Sequence, residues 1–211
     1  MARAYSVSKI LSIKHELVQW AEPWQAAFGQ PAACGVWFVW GNSGNAKTRF
    51  LLELAKELSK TKKVFYNSRE EGNSHTMQLA LRDAGIDGSN RHLIIGNESH
   101  EEMEERLDKR KAPQVCFLDS IQYFSIRFLA FRALVAKHPD VLFIVNSQAD
   151  GKKPVGKIAD AIRYDASLKI WVEGYKAISN GRYNPGGEFK IWEEGAERYW
   201  GTTLKAVKDA E

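Results

Sequence analysis

The sequence predicts an α/β fold: a mainly parallel central sheet flanked by helices, with antiparallel strands at its carboxyl end. Three observations predict it. Short apolar runs alternate with helix-patterned stretches over most of the first 148 residues. The glycine-rich "GNSGNAKT" (41–48) lies between one such run and one such stretch, giving the order strand, turn, helix. After Gln148 the pattern changes to shorter runs set around glycine turns, the mark of hairpins.

Element by element, Ile10, Leu11, Ile13, Leu17, Trp20 and Trp24 recur at helical spacing within residues 8–27, and Pro23 bends or splits that helix. The amino-terminal segment, 1–30, is expected to pack on the core or on a neighbouring subunit. "CGVWFVWG" (34–41) reads as a buried strand and "TRFLLELAKELSK" as a helix. "KVFYNS" is a strand, residues 76–84 a helix, and "HLIIGN" a short strand. "SHEEMEERLDKR" is a helix with Ser99 and Glu102 at capping-box spacing. Strand "QVCFLDS", helix "IRFLAFRALVAKH" and strand "DVLFIVNSQ" follow. "ADGKKPVGK" is a basic loop and "IADAIRYD" a short helix; "ASLKIWVEGYKAISN" and "GGEFKIWEE" read as antiparallel strands. No repeat, low-complexity tract or linker interrupts the chain, which predicts one domain over 1–211.

Composition agrees with a soluble globular protein: 211 residues, 44% hydrophobic and 27% charged. No apolar run approaches the roughly 18 residues of a membrane span, and the first residues lack an apolar leader with a cleavage site. A cytoplasmic protein with no membrane partner is expected. Cys34 and Cys116 have no CxxC spacing and lie among apolar residues, so they read as reduced thiols rather than a disulfide or zinc site. His15, His75, His92, His100 and His138 show no ligand or triad spacing. Trp37, Trp40, Trp171 and Trp192 fall in strands and read as core. The net charge of +4 leans weakly toward acidic partners.

The chemistry concentrates at residues 41–49. A glycine-rich turn aims successive backbone N–H groups at phosphate oxygens, and the next helix adds the positive end of its dipole. Gly41, Asn42, Ser43, Gly44, Asn45, Ala46, Lys47, Thr48 and Arg49 form this candidate cradle. Lys47 would neutralise the β and γ phosphates, and Thr48 would offer its hydroxyl to Mg²⁺. Ala46 stands where the GxxxxGKT pattern has its last glycine, and it fits without crowding if its dihedrals are helical. Asp119 ends an apolar strand, where a carboxylate can hold Mg²⁺. Glu70 and Glu71 end another, at the edge where parallel sheets bind ligands.

In order and spacing these motifs resemble those of the RecA-like P-loop ATPases, in their RadA and KaiC branch, across residues 35–192. "GNSGNAKT" is similar to that branch's Walker A loop, "VFYNSREEG" to its strand ending in Ser-x-Glu-Glu, and "FLDSIQ" to its Walker B strand. "FIVNSQADGKKPVGKIADAIRYDASLKIWVEG" is similar to its sensor strand, second DNA-binding loop and following helix. The resemblance implies ATP and Mg²⁺ as ligands, Asp119 as the Walker B carboxylate, Glu70 as catalytic base with Glu71 beside it, and Gln148 as γ-phosphate sensor. It implies single-stranded DNA contacts at Lys152, Lys153 and Lys157. "SNGRYNPGG" is similar to the RadA segment that reaches a neighbouring subunit's nucleotide, with Arg182 matching its arginine and Asn180 standing where it has a lysine.

The function so implied is a Mg²⁺-dependent ATPase acting in DNA recombination, repair or replication as a homo-oligomeric ring or filament. It would be a core-only protein of the kind found among phages and mobile elements. Two alternatives stand beside it: an ATP-responsive oligomeric regulator with little hydrolysis, and a phosphotransferase of the nucleoside-kinase type.

Overall fold

A parallel strand covered on both faces must be apolar at successive positions, not only at alternate ones. That requirement is met by five central strands: β1 (Gly35–Gly41), β2 (Val64–Ser68), β4 (Val115–Asp119), β5 (Leu142–Asp150) and β7 (Leu168–Glu173). The computed structural model describes residues 4–208; the outermost residues of the expected domain, 1–3 and 209–211, lie outside the described residues. With β3 (Leu93–Gly96), β8 (Lys176–Ser179) and β9 (Glu188–Lys190), these strands form one sheet in the order β3-β2-β4-β5-β1-β7-β8-β9. The pairings from β3 through β7 are parallel, and β8 and β9 add antiparallel. A two-residue strand, β6 (Lys153–Pro154), folds back on the end of β5.

Alternate side chains divide the core in two. Trp37, Val39, Tyr66, Phe117 and Ile144 point to one face with α3 (Lys47–Leu58) and α4 (His75–Asp83). Phe38, Trp40, Phe65, Leu118 and Phe143 point to the other, with α5 (His100–Leu107), α6 (Phe128–Lys137) and α7 (Lys157–Asp165). Helix starts follow their local chemistry. The Ser74 hydroxyl accepts from the Met77 amide, and Ser99 with Glu102 closes a full capping box.

Four expectations change. The predicted amino-terminal helix is two five-residue pieces, α1 (Val7–Leu11) and α2 (Trp24–Phe28). No residue of α1 is buried, whereas Val18, Trp20, Trp24, Ala27 and Phe28 join the core, Trp24 stacking on Phe189 at 4.2 Å between ring centres. Second, β7 is parallel to β1 rather than part of an antiparallel set, because α7 carries the chain back across the sheet before β7 begins. Third, α8 (Glu193–Lys208) follows β9, where no helix is expected from the sequence. Trp192, expected in the core, is 37% exposed and packs edge-on against Tyr175. No helix among the described residues is long and apolar enough to cross a membrane.

Candidate functional site

The glycine-rich turn leaves the sheet at the carboxyl end of β1. Gly41 is fixed there by sterics, since a Cβ would come within 2.3 Å of the Val172 carbonyl oxygen on β7. Gly44, at φ +77°, has open space where a side chain would project. Asn45 clamps the turn: its amide donates to the Ser43 carbonyl at 3.1 Å, and its carbonyl accepts from the Gly174 amide at 2.7 Å. Asn42 donates to the Gly151 carbonyl at 3.1 Å, tying the turn to the β5–β6 hairpin.

Ala46 does not take helical dihedrals. It caps α3 at φ 64°, ψ 27°, in the left-handed region. The turn must reverse sharply between β1 and α3, and this residue makes the reversal. The conformation costs an L-residue roughly 1–2 kcal/mol relative to the right-handed region. The methyl packs against the core beneath the turn.

Lys47 and Thr48 open α3, and neither side chain makes a hydrogen bond with the described residues. Arg49 is exposed and engaged by Glu53 one turn along, at 2.9 Å. Across the sheet Asp119 is 4% exposed and heavily bonded. It accepts from the Tyr66 hydroxyl at 2.8 Å, the Ser68 hydroxyl at 3.4 Å and the Asn146 amide. Burial raises its pKa above the ordinary aspartate value; the Tyr66 and Asn146 hydrogen bonds oppose the rise, the Glu70 charge adds to it, and Lys47 opposes it. Lys47, Glu70 and Asp119 thus share one electrostatic neighbourhood. The same carboxylate and burial push the Tyr66 hydroxyl well up, burial first.

Glu70 is exposed and accepts from the Ser120 hydroxyl at 3.1 Å, next to Asp119. Glu71 is half-buried, with its amide on the Ser68 hydroxyl at 3.2 Å. Gln148 sits opposite Gly41 in the β1–β5 register, half-exposed at the same sheet edge. Lys152, Lys153 and Lys157 are exposed on the adjoining turn and the start of α7. Trp40 donates to the Lys152 carbonyl at 3.1 Å, a second tie between β1 and that turn.

Arg182 stands apart. Its amide lies 3.5 Å from the Ser167 carbonyl, and the Ser167 amide in turn bonds Val36 at the start of β1. It is therefore a strand length, roughly 17–20 Å, from the turn of its own chain. The structure does not bring it to that site.

Sequence reasoning misses Tyr66, Asn146 and Gln122. Tyr66 and Asn146 are polar interruptions of apolar strands, which is the signal they carry. Gln122 donates to both the Ser147 hydroxyl and the Val155 carbonyl at 2.8 Å, linking the segment after Asp119 to the hairpin.

The residues present suit a magnesium nucleotide. Among the described residues, the Glu71, Gln122 and Asn146 side chains each keep one buried oxygen with no hydrogen-bond partner. Of these, Asn146 is hydrogen-bonded to Asp119, so water or a cation beside that carboxylate could satisfy its free oxygen. No group of three or more His, Cys, Asp or Glu among the described residues is arranged around a metal. Mg²⁺ held through one carboxylate, a hydroxyl and substrate phosphates needs no such group.

Two outcomes follow. Ala46→Gly should raise stability by roughly 0.5 kcal/mol, because relief of the left-handed strain exceeds the added freedom of the unfolded chain. Urea unfolding checks this, and a drop in stability of about 1 kcal/mol would mean that no strain is stored. For Asp119 the folded chain holds the proton more tightly than the unfolded one. Its contribution to stability is therefore full at low pH and is lost as pH rises from the ordinary aspartate value through the raised folded one. Asp119→Asn removes the charge, and Asn146 can rotate its amide to accept from the new one. The variant should melt higher at neutral pH, by about 2–4 °C for each kcal/mol relieved, and lose that part of the pH dependence. An unchanged pH profile would show that Asp119 is not destabilised by burial.

No protein-family model matches the chain, and no curated protein matches it. Among solved structures it is similar to a KaiC-like protein from the hyperthermophilic archaeon Pyrococcus horikoshii, at 15% identity and a TM-score of 0.57, covering 75% of this chain and 81% of that one. It is also similar to a RadB recombinase, at 17% identity and a TM-score of 0.47, covering 76% of this chain and 88% of that one. The parallel sheet, the glycine-rich turn after β1 and the likeness to the KaiC-like protein give this chain the RecA-like P-loop fold.

Proposed function

We propose that the protein is a Mg²⁺-dependent ATPase that works as a homo-oligomer on single-stranded DNA in recombination, repair or replication. The observation that carries this reading is the convergence of Lys47, Asp119 and Glu70 at one end of the sheet, beside a turn whose Asn42 and Asn45 side chains are hydrogen-bonded to the backbone of the turn and its neighbouring loops.

In this reading the amides of residues 43–47 and the Lys47 ammonium hold the β and γ phosphates. Thr48 and Asp119 hold Mg²⁺, which when bound supplies positive charge to the phosphate oxygens. Glu70, steadied by the Ser120 hydroxyl, takes the proton of the attacking water as its oxygen bonds to the γ phosphorus and the bond to the leaving ADP oxygen breaks. Glu71 lies beside it. Gln148 senses the γ phosphate and adjoins the turn whose Lys152, Lys153 and Lys157 hold the DNA backbone. The distance of Arg182 from its own turn supports a role across an interface, at a neighbour's nucleotide.

The regulator reading, with little hydrolysis, is favoured by one observation, the strained Ala46 in the phosphate turn. ATPase rate against protein concentration, with and without single-stranded DNA, separates the two. Turnover per subunit should rise with both; a flat, low rate supports the regulator. Lys47→Ala should abolish nucleotide binding in calorimetry, and retained binding would remove the turn from the assignment. Arg182→Ala should lower turnover by about 10³ to 10⁵ while isolated subunits bind nucleotide unchanged. Equal turnover would take Arg182 out of the mechanism.

A further inference from the structure

The cations assigned so far lie at the carboxyl ends of the strands, apart from Arg182. A second group lies at the opposite end, where the strands begin. Lys63 precedes β2, Arg91 precedes β3, and Lys109, Arg110 and Lys111 occupy the turn leading to β4. Lys63, Arg91, Arg106, Lys109 and Lys111 line one cavity of about 300 Å³ that no aspartate or glutamate enters.

Four neighbouring carboxylates are already engaged. Glu98 binds Arg106, Glu104 and Asp108 share Lys137, and Glu57 pairs with Lys60. Arg106 is held in place, its guanidinium 4.6 Å above the Phe65 ring. Lys63, Arg91, Lys109 and Lys111 are exposed, and none forms an ion pair among the described residues. An adjacent cavity of about 490 Å³ shares Arg91 and adds Lys56 and Lys60, but there Asp87 faces Lys56 and Glu57 holds Lys60, so the unanswered charge is confined to the first cavity. A merely solvated helix face interleaves both signs of charge; this face leaves one sign unanswered.

We infer that this face binds a nucleic-acid duplex through its phosphates, as a site separate from the hairpin turn. Single strands are held by exposed aromatic platforms on which bases stack. Of the rings lining this cavity, Phe65 is buried beneath Arg106, and His92 is tied down by a contact of its ring nitrogen with the Ser59 carbonyl at 3.2 Å. Backbone phosphates of a duplex need only the cations. The face is independent of the ATPase reading, because it uses none of the same residues.

The test is fluorescence anisotropy of a short random-sequence DNA duplex with the full chain, across a salt series. The triple variant Arg91→Ala, Lys109→Ala, Lys111→Ala should bind more weakly. The slope of log affinity against log salt should fall by about 0.9 for each phosphate no longer neutralised, near 3 in all. Its nucleotide binding and melting temperature should stay unchanged. Lys63→Ala alone gives an independent reading, with a slope reduced by about 0.9. Three results overturn the inference: no duplex binding by the unaltered chain at low salt, equal binding by the triple variant, or a triple variant weakened only toward polyglutamate.

Discussion

The Asp119 carboxylate joins three strands. It belongs to β4, takes hydrogen bonds from Tyr66 and Ser68 on β2, and a third from Asn146 on β5. A nearly buried charge survives in such a place only if its surroundings are rich in donors. Those donors come from the adjoining strands at the level where the sheet ends, so the same carboxylate that costs stability also fixes the relative positions of those strand ends. The backbone extends the arrangement: the Arg69 amide donates to the Asp119 carbonyl at 2.7 Å, which sets the course of the chain toward Glu70 and Glu71.

The glycine-rich turn is built on a different constraint. Its side-chain amides are committed to the protein, with Asn45 fastened to Gly174 and Asn42 to Gly151. Its inner wall is a contact between backbones, since Gly41 leaves no room for a Cβ beside Val172. Strain at Ala46 fits a site in which geometry is held by the surrounding structure rather than by the local preference of each residue.

Much of this was legible in the sequence. Continuous apolar runs such as "VWFVW" and "VCFLD" can only be strands covered on both sides, and Ser99 with Glu102 announced a helix start that the structure has. The direction of β7 was not legible, because a buried strand has the same apolar pattern whichever way it runs. The amino-terminal segment misled for a related reason. Trp20 lies outside the short helix that carries Trp24, and the two are brought together by stacking in the core at 5.9 Å between ring centres, not by one helix. The candidate site was legible where residue type is tied to spacing, in that Lys47 and Asp119 stand at the same end of the sheet as expected. It was not where polar residues such as Tyr66 and Asn146 act within apolar strands, or where a backbone angle decides, as at Ala46.

Asn42 and Trp40 hold the carbonyls of Gly151 and Lys152, so the turn bearing the exposed lysines hangs from the very strand and loop that would cradle phosphate. Movement of either partner strains two shared bonds. A ligand at one place that moved these bonds would change the free energy of occupancy at the other, by the same amount in both directions. The end of β1 and the loop that follows it are the pivot from which the lysine-bearing turn hangs.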